Sequence, residues 1–396
     1  MQIEFHKING GVLAPEGFIG GAAACGIKNG KPERLDLALV VSQTDASAAA
    51  TFTTNRVKAA PVKVSAEHVK SGRARAVVLN SGNANACTGK EGLAASRATA
   101  RAVAKKIGCL EKEVLVCSTG RIGVALPLDR IQSGLAAIEP SRTAGTDCAH
   151  AIMTSDTKRK EASYEVVTQR GTFRIGAMAK GAGMIDPNMA TMLCVFTTDA
   201  KVPPATLRKA LREAVAESFN RITVDGDMST NDTVIALANG LSGVVPTTAM
   251  LREALVRILR EMARHIVLDG ECVTRLVQLN VRGAASPADA RRAAEAVANS
   301  TLVKSAWAGG DPNWGRILCA LGYSGAKMIE EKVSVDYDEL PLVRNGSLAK
   351  TDWKKIREVA AQKEFCVDID LHIGRAAYEV WTTDLTPEYV KFNMGE

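Results

Sequence analysis

In the stretch "KGAGMIDPNMATMLCVFTTDA", residues 180–200, a threonine sits at a seam directly after an alanine. A glycine- and proline-bearing run ends at Ala190, and from Thr191 a β-prone apolar run continues to about Thr197. A neutral threonine hydroxyl is a poor nucleophile and needs a base beside it. One economical base is the α-amine of the same residue, whose pKa of about 7.7–8.0 lies near working pH. That amine exists only if the 190–191 peptide bond is broken. The chain can break it: Thr191 Oγ attacks the carbonyl of Ala190, the acyl group moves from N to O, and water hydrolyses the ester. A small preceding side chain and a strained, accessible backbone favour the step. Gly181, Gly183, Pro187 and Ala190 are compatible with both. On this stretch alone, a plain strand start is the simpler reading.

Other chemistry is harder to find. No G-x-x-x-x-G-K-[ST] occurs, "GAGMID" is only half of a G-x-G-x-x-G, and G-x-S-x-G is absent. "DGDMSTND", residues 225–232, is rich in hard oxygen ligands, but it lacks the sixth-position glycine and twelfth-position glutamate of a calcium loop. A turn that hydrogen-bonds its own backbone suits it better. The nine cysteines are widely spaced with no C-x-x-C, and the five histidines form no H-x-x-x-H. Reduced thiols in a cytosol are therefore expected, with neither a disulfide scaffold nor a zinc site.

The elements that must position these residues mix strands and helices. Apolar runs of strand length lie at Leu35–Val41, Ala76–Leu79, Val114–Cys117, Met192–Phe196, Leu276–Val281, Val333–Val335 and Cys366–Ile373. Helical stripes run through 205–219 and 249–266. A third helix opens with Ser286 as cap, Pro287 in its first turn and Asp289 at capping-box spacing. A fourth begins near Ala94 and closes at Gly108. Residues 171–198 read as strand, loop, strand with no helix between, so strict β-α-β alternation fails. Sheets packed under helical cover, an α/β layered sandwich, are expected. Polar stretches at 141–160 and 345–352 are candidate segment boundaries. "CVFTTDA" at 194–200 echoes "EVWTTDLT" at 379–386, and chance suffices to explain it.

Apolar residues make up 46% of the 396, charged residues 23% and aromatics only 4%, so small aliphatic side chains must build the core. The net charge is +7, but the basic residues are scattered. The longest cluster, Lys158–Arg159–Lys160, is followed by Glu161 and reads as a solvated turn, not a nucleic-acid footprint. The N-terminus lacks the pattern of a signal peptide, and no run approaches the ~18 apolar residues of a membrane span. A cytoplasmic location is expected.

Seven blocks in order carry a resemblance: "LNSGNANACTG" (79–89), "CSTGRIG" (117–123), "IMTSDT" (152–157), residues 180–200, "SFNRITVDGDMSTNDTV" (218–234), "LDGEC" (268–272) and "AGGDPNWGR" (308–316). Together they closely resemble the ArgJ family, the glutamate N-acetyltransferase/ornithine acetyltransferases of arginine biosynthesis, from about Gly11 to Asn393. The resemblance implies self-cleavage between Ala190 and Thr191 into 1–190 and 191–396, which stay associated and pair into a heterotetramer. It implies the layered fold shared with DmpA-type aminopeptidases. It further implies transfer of acetyl from N-acetylornithine to glutamate through an acetyl-threonine on Thr191. Acetyl-CoA is a second donor in some members, and no cofactor is needed. Thr119 and Gly120 match the oxyanion hole, although their position also suits an ordinary strand-ending turn.

Lys180, Thr154, Glu271 and Asn393 match substrate-binding residues: Lys180 for a carboxylate, Glu271 for an ammonium. A surface role would also suit Lys180 or Glu271, and Thr154 could cap its local turn. Family chains usually run several residues past the asparagine to a Thr or Ser that touches substrate, whereas this sequence ends "NMGE". That contact is expected to be missing or replaced. Two other readings fit part of the sequence: an N-terminal-nucleophile amidase or aminopeptidase, and a non-catalytic amino-acid-binding protein that never cuts itself.

Overall fold

A computed structural model of the chain describes residues 3–28, 33–186 and 192–395. These fall into two compact units. The first comprises Met1–Gly181, Asn188–Asn220 and Met228–Ile266; the second comprises Ala182–Pro187, Arg221–Asp227 and Val267–Glu396. The candidate boundaries at 141–160 and 345–352 are therefore corrected, because each lies inside one unit. Within residues 141–160 most polar side chains are exposed, but Asp156 and Lys160 are buried in a charge cluster described below.

The first unit holds a mixed sheet of nine strands among the described residues. They are β1 (Glu4–Lys7), β2 (Phe18–Ala23), β3 (Leu37–Phe52), β4 (Arg73–Asn80), β5 (Val114–Ser118), β6 (Lys160–Thr168), β7 (Gly171–Lys180), β8 (Leu193–Thr198) and β9 (Thr233–Ala238). Their order is β1-β6-β7-β8-β9-β3-β4-β5, with β2 also paired to β3. Strands β8–β9 and β4–β5 run parallel, and the other neighbours run antiparallel. As expected, β7 and β8 are adjacent antiparallel strands with no helix between them.

Strand β3 runs eleven residues past the expected end at Val41. A register shift between Val41 and Ala46 lets its first half pair with β2 and β4, and its second half with β9. The small residues after Val41 carry little β signal, so the extension was hidden.

Alternation along the central strands sends side chains to two cores. Leu37, Leu39, Ala76, Val78, Val114 and Val116 pack with residues of α1 (Gly89–Ile107) and α2 (Leu128–Ala137). Ala38, Val40, Val77, Leu79, Leu115, Leu193 and Val195 face the other way, with Cys148 and Ala149 of a short helix at Gly145–Ala151. Covering both faces explains the nearly continuous apolar runs of β4, β5 and β8. Helix α1 starts five residues earlier than expected and ends as expected, with Gly108 at φ 69°.

The second unit contains strands β10 (Leu276–Ala284), β11 (Ser334–Tyr337), β12 (Leu340–Arg344), β13 (Ser347–Leu348), β14 (Glu364–Asp370) and β15 (Ala376–Thr383). They form one sheet in the order β13-β12-β11-β14-β10-β15. Val277, Leu279 and Val281 of β10 bury the alanine face of the helix Pro287–Ala298. Ser286 caps that helix by accepting from Asp289 N at 3.1 Å, as the sequence predicts. Trp307 is fully buried, donates to the Tyr337 hydroxyl at 2.9 Å and packs edge-on to Phe365. The expected α/β class is borne out. Among the described residues no helix is long and apolar enough to cross a membrane. Trp307→Ala should cost about 3–5 kcal/mol, read as a lower urea midpoint for the second unit.

Candidate active site

Thr119 and Gly120 follow directly on β5, where the strand leaves the sheet. The turn rests on the segment after β4: Thr119 N donates to Asn80 O at 3.0 Å, and Ala84 N to Arg121 O at 2.9 Å. Only glycine fits at 120. Its φ is +130°, and a Cβ there would come within 2.4 Å of the Gly82 carbonyl carbon. Asparagines fasten the two segments. Asn231 Nδ2 donates to both Ala84 O and Ser118 O at 2.7 Å, and Asn80 accepts from Ser118 Oγ at 2.6 Å. Among the described residues, neither the Gly120 N–H nor the Thr119 hydroxyl makes a hydrogen bond. Two donors held rigidly and left uncommitted are what a developing oxyanion requires.

A cavity of about 170 Å³ is lined by Lys28, Arg34, Asp36, Ser81, Gly82, Met153 and Thr154. Thr154 is half-buried and points back to Asp156, a residue the sequence reading passed over. Asp156 Oδ2 accepts from Thr154 N at 2.9 Å, and Oδ1 accepts from Gly181 N at 2.7 Å. Asp156 Oδ1 also accepts from Lys160 Nζ at 2.7 Å, while Lys180 Nζ stands 3.8 Å from Oδ2. Thr154 and Lys180 are thus brought together through one buried carboxylate. Burial alone would raise the Asp156 carboxyl, but the charges of Lys180 and Lys160 override it and hold it well below the usual carboxylate range.

The solvated-turn reading of residues 158–160 is corrected for Lys160, which is 1% exposed. Lys160 opens β6 opposite Ala179 of β7, next to Lys180. The signal was split between "IMTSDT" and a basic triplet that looked like surface.

Residues 187–191, including Ala190 and Thr191, lie outside the described residues. Immediately after them, Met192 N donates to Asp232 Oδ1 at 3.1 Å. Asp232 is 0% exposed, and its Oδ2 has no hydrogen-bond partner among the described residues. The Thr53 hydroxyl nearby directs its proton to Ser229 O at 2.8 Å. Burial pushes the Asp232 carboxyl well above its usual range, with the Met192 N–H, the Thr53 hydroxyl and the Lys180 charge pulling the other way. The stretch 225–232 therefore does more than close on its own backbone, although Asp227 N does bond Asp225 Oδ1 at 3.2 Å and Asn231 N bonds Ser229 Oγ at 3.1 Å.

In the second unit the segment before residue 187 is held by Asp225, which accepts from Met184 N at 2.7 Å and Ile185 N at 2.8 Å. This offsets the strain of a left-handed Met184, φ 56°. Tyr389, on the C-terminal helix Pro387–Asn393, donates to the same carboxylate at 3.1 Å. Asn393 at the end of that helix is exposed and donates to Glu271 Oε2 at 3.3 Å, so these two predicted binding residues meet. Glu271 N bonds Ala182 O at 3.0 Å, and its carboxylate fills the space a side chain at Gly183 would need. Asp186 is pushed up to about 7, chiefly by burial, against a 3.2 Å bond from Asn299.

Comparison with known proteins fits these features. The ArgJ family profile matches residues 20–395. The chain belongs to the ArgJ family. It is 47% identical to the arginine biosynthesis bifunctional protein ArgJ of Symbiobacterium thermophilum, over 97% of this chain and 98% of that protein. The Geobacter sulfurreducens protein of the same name is 48% identical, over 96% and 98%. The glutamate N-acetyltransferase of Methanothermobacter thermautotrophicus is 43% identical, over 99% and 98%. The expected acyltransferase of arginine biosynthesis is borne out.

Asp232 carries a pH signature. A carboxyl raised in the folded state binds its proton there more tightly than in the unfolded chain, so its ionisation destabilises the fold as pH rises above the ordinary value of 3.8. Calorimetry of Asp232→Asn against the parent should show the difference in melting midpoint moving in favour of the variant between pH 4 and pH 8.

Proposed function

We propose that this chain moves an acetyl group from N2-acetylornithine to glutamate through an ester on Thr191, after cutting its own backbone between Ala190 and Thr191. The fragments 1–190 and 191–396 remain associated and pair further into a heterotetramer in the cytoplasm. The observation that carries this reading is the turn at Thr119–Gly120, with two rigid donors that no described residue uses.

In the transfer, the α-amine of Thr191 takes the proton of its own hydroxyl as Oγ attacks the acetyl carbonyl. The Thr119 hydroxyl and Gly120 N–H receive the negative charge that develops on the carbonyl oxygen. Collapse expels ornithine, whose nitrogen takes the proton back, and leaves acetyl-threonine. The glutamate amine then attacks the ester by the reverse sequence, and Thr191 Oγ leaves with a proton. Recognition divides by charge: Lys180 suits a carboxylate, as does the cavity beside Thr154, where Lys28 and Arg34 outnumber Asp36, and Glu271 with Asn393 suits an ammonium. No step calls for a cofactor.

N-terminal sequencing of the purified protein should find a chain beginning "TMLCVF". Thr191→Ala should give a single uncut species without transfer, and Thr191→Ser should process more slowly. Acetylglutamate should form from N-acetylornithine only when glutamate is present; transfer of the acetyl group to water, read as free acetate, would instead assign a hydrolase. Replacing N-acetylornithine by acetyl-CoA tests the second donor. Thr119→Val, which removes the hydroxyl and keeps the shape, should lower kcat on the order of 10²–10³-fold in a protein that still folds, as loss of an oxyanion donor does.

A further inference from the structure

Two strands of this chain end in Thr-Thr-Asp, at 197–199 and at 382–384. Both aspartates accept two distant backbone amides. Asp199 takes Arg174 N at 2.7 Å and Glu16 N at 3.0 Å, and Asp384 takes Thr274 N at 2.9 Å and Arg275 N at 3.0 Å. At both ends the threonine hydroxyls donate to backbone carbonyls: Thr197 to Val12, Thr198 to Arg174, Thr382 to Ala298 and Thr383 to Val224. The end of β8 closes with no lysine among its described partners. The end of β15 carries one.

That lysine is Lys304, on the helix Thr301–Ala308, and it is 3% exposed. Its Nζ donates to Thr383 O at 2.5 Å, Thr383 Oγ1 at 3.1 Å and Thr382 Oγ1 at 3.2 Å. An ammonium has three N–H donors, and all three are used. The two hydroxyls have directed their own protons to carbonyls, so towards Lys304 they can only accept. Among the described residues no carboxylate forms an ion pair with it. Burial pulls its ammonium down to about 7, against the charges of Asp384 and Asp225. Such a group is costly, and β8 shows that this kind of strand end closes without one. What differs is what hangs from the second end. Leu385 N donates to Lys304 O at 3.2 Å. Thr386 donates to Cys272 O at 2.8 Å and accepts from Tyr389 N at 3.2 Å, opening the helix Pro387–Asn393. Residues 382–386 thus hold both the loop that follows Glu271 and the helix that carries Asn393.

We propose that Lys304 is a positioning residue for the substrate ammonium: its three N–H donors fix residues 382–386, and through them the Cys272–Arg275 loop and the C-terminal helix. The kinetic consequence rests on the ammonium-binding role given above to Glu271 and Asn393; the hold on the segment does not.

The test compares the parent with Lys304→Met, which fills the space and supplies no donor, by hydrogen exchange with mass spectrometry and by steady-state kinetics. Peptides covering 272–275 and 383–393 should exchange about tenfold or more faster, while those of β11 and β14 in the same unit keep the parent protection. KM for N-acetylornithine should rise about fivefold or more, with kcat within about twofold and self-cleavage intact. If Lys304→Met does not fold, Lys304→Gln, uncharged and with two donors at its tip, is read in the same way. Parent-like exchange of both peptides, or an equal loss of protection in β11 and β14, overturns the positioning role. So does local loosening with a parent-like KM, if Asn393→Ala raises that KM. Local loosening with a parent-like KM in Asn393→Ala as well would instead overturn the ammonium-binding role of Asn393 and leave the hold of Lys304 on the segment standing.

Discussion

Backbone amides on either side of residues 187–191 are handed to carboxylates, two of them buried and one half-buried. Gly181 N goes to Asp156, Met184 N and Ile185 N to Asp225, and Met192 N to Asp232. Hydrogen bonds to charged acceptors are roughly twice as strong as neutral ones, so Asp156, which its two lysines hold ionised, fixes the chain more firmly than a backbone carbonyl would. The same carboxylates reach outward. Asp156 organises Thr154 and two lysines, and Asp225 holds Tyr389. The path of the chain and the placement of the polar side chains are therefore set by one device.

That device is costly. Asp156, Asp232, Lys160 and Lys180 are all buried in the first unit, where each ion loses its hydration. Asp156 recovers the loss through two lysines and two amides. Asp232 does not, and among the described residues its second oxygen has no partner. Buried polar groups are nearly always satisfied, so an exception beside a chemically interesting segment is the sort of strain that functional sites retain. The turn at Gly120 shows the same tendency: close packing on Gly82 excludes every side chain there, and no described residue uses its two donors.

Much of this was legible in the sequence. The central strands announce themselves because both faces of the first sheet are covered, giving apolar runs such as Val114–Cys117. Ser286, Pro287 and Asp289 mark a helix start by local chemistry alone. Thr119, Gly120, Thr154, Lys180, Glu271 and Asn393 were picked out through the resemblance. What stayed hidden depends on pairing across the sheet. Lys160 looks like surface in "KRKE" because its burial is decided by Asp156 four residues earlier and by β7 alongside it. The extension of β3 was invisible because alanine and serine have little β preference, and pairing with β9 supplies what they lack. Asp225 and Asp232 were seen as oxygen ligands closing their own turn, since nothing local shows which distant amides they receive.

Strand order has a consequence for any break in residues 187–191. Strands β8 and β9 come from the C-terminal side of such a break, yet β7 flanks them on one side and β3 on the other, both from the N-terminal side. The two pieces would interleave like fingers, each closing gaps in the other's ladder. Pulling them apart would open two seams at once, six paired residues long on the β7 side and six on the β3 side. Neither piece could keep this sheet alone. A severed peptide bond would change the covalent count while leaving this sheet intact, and halves made separately would each carry raw strand edges prone to aggregation.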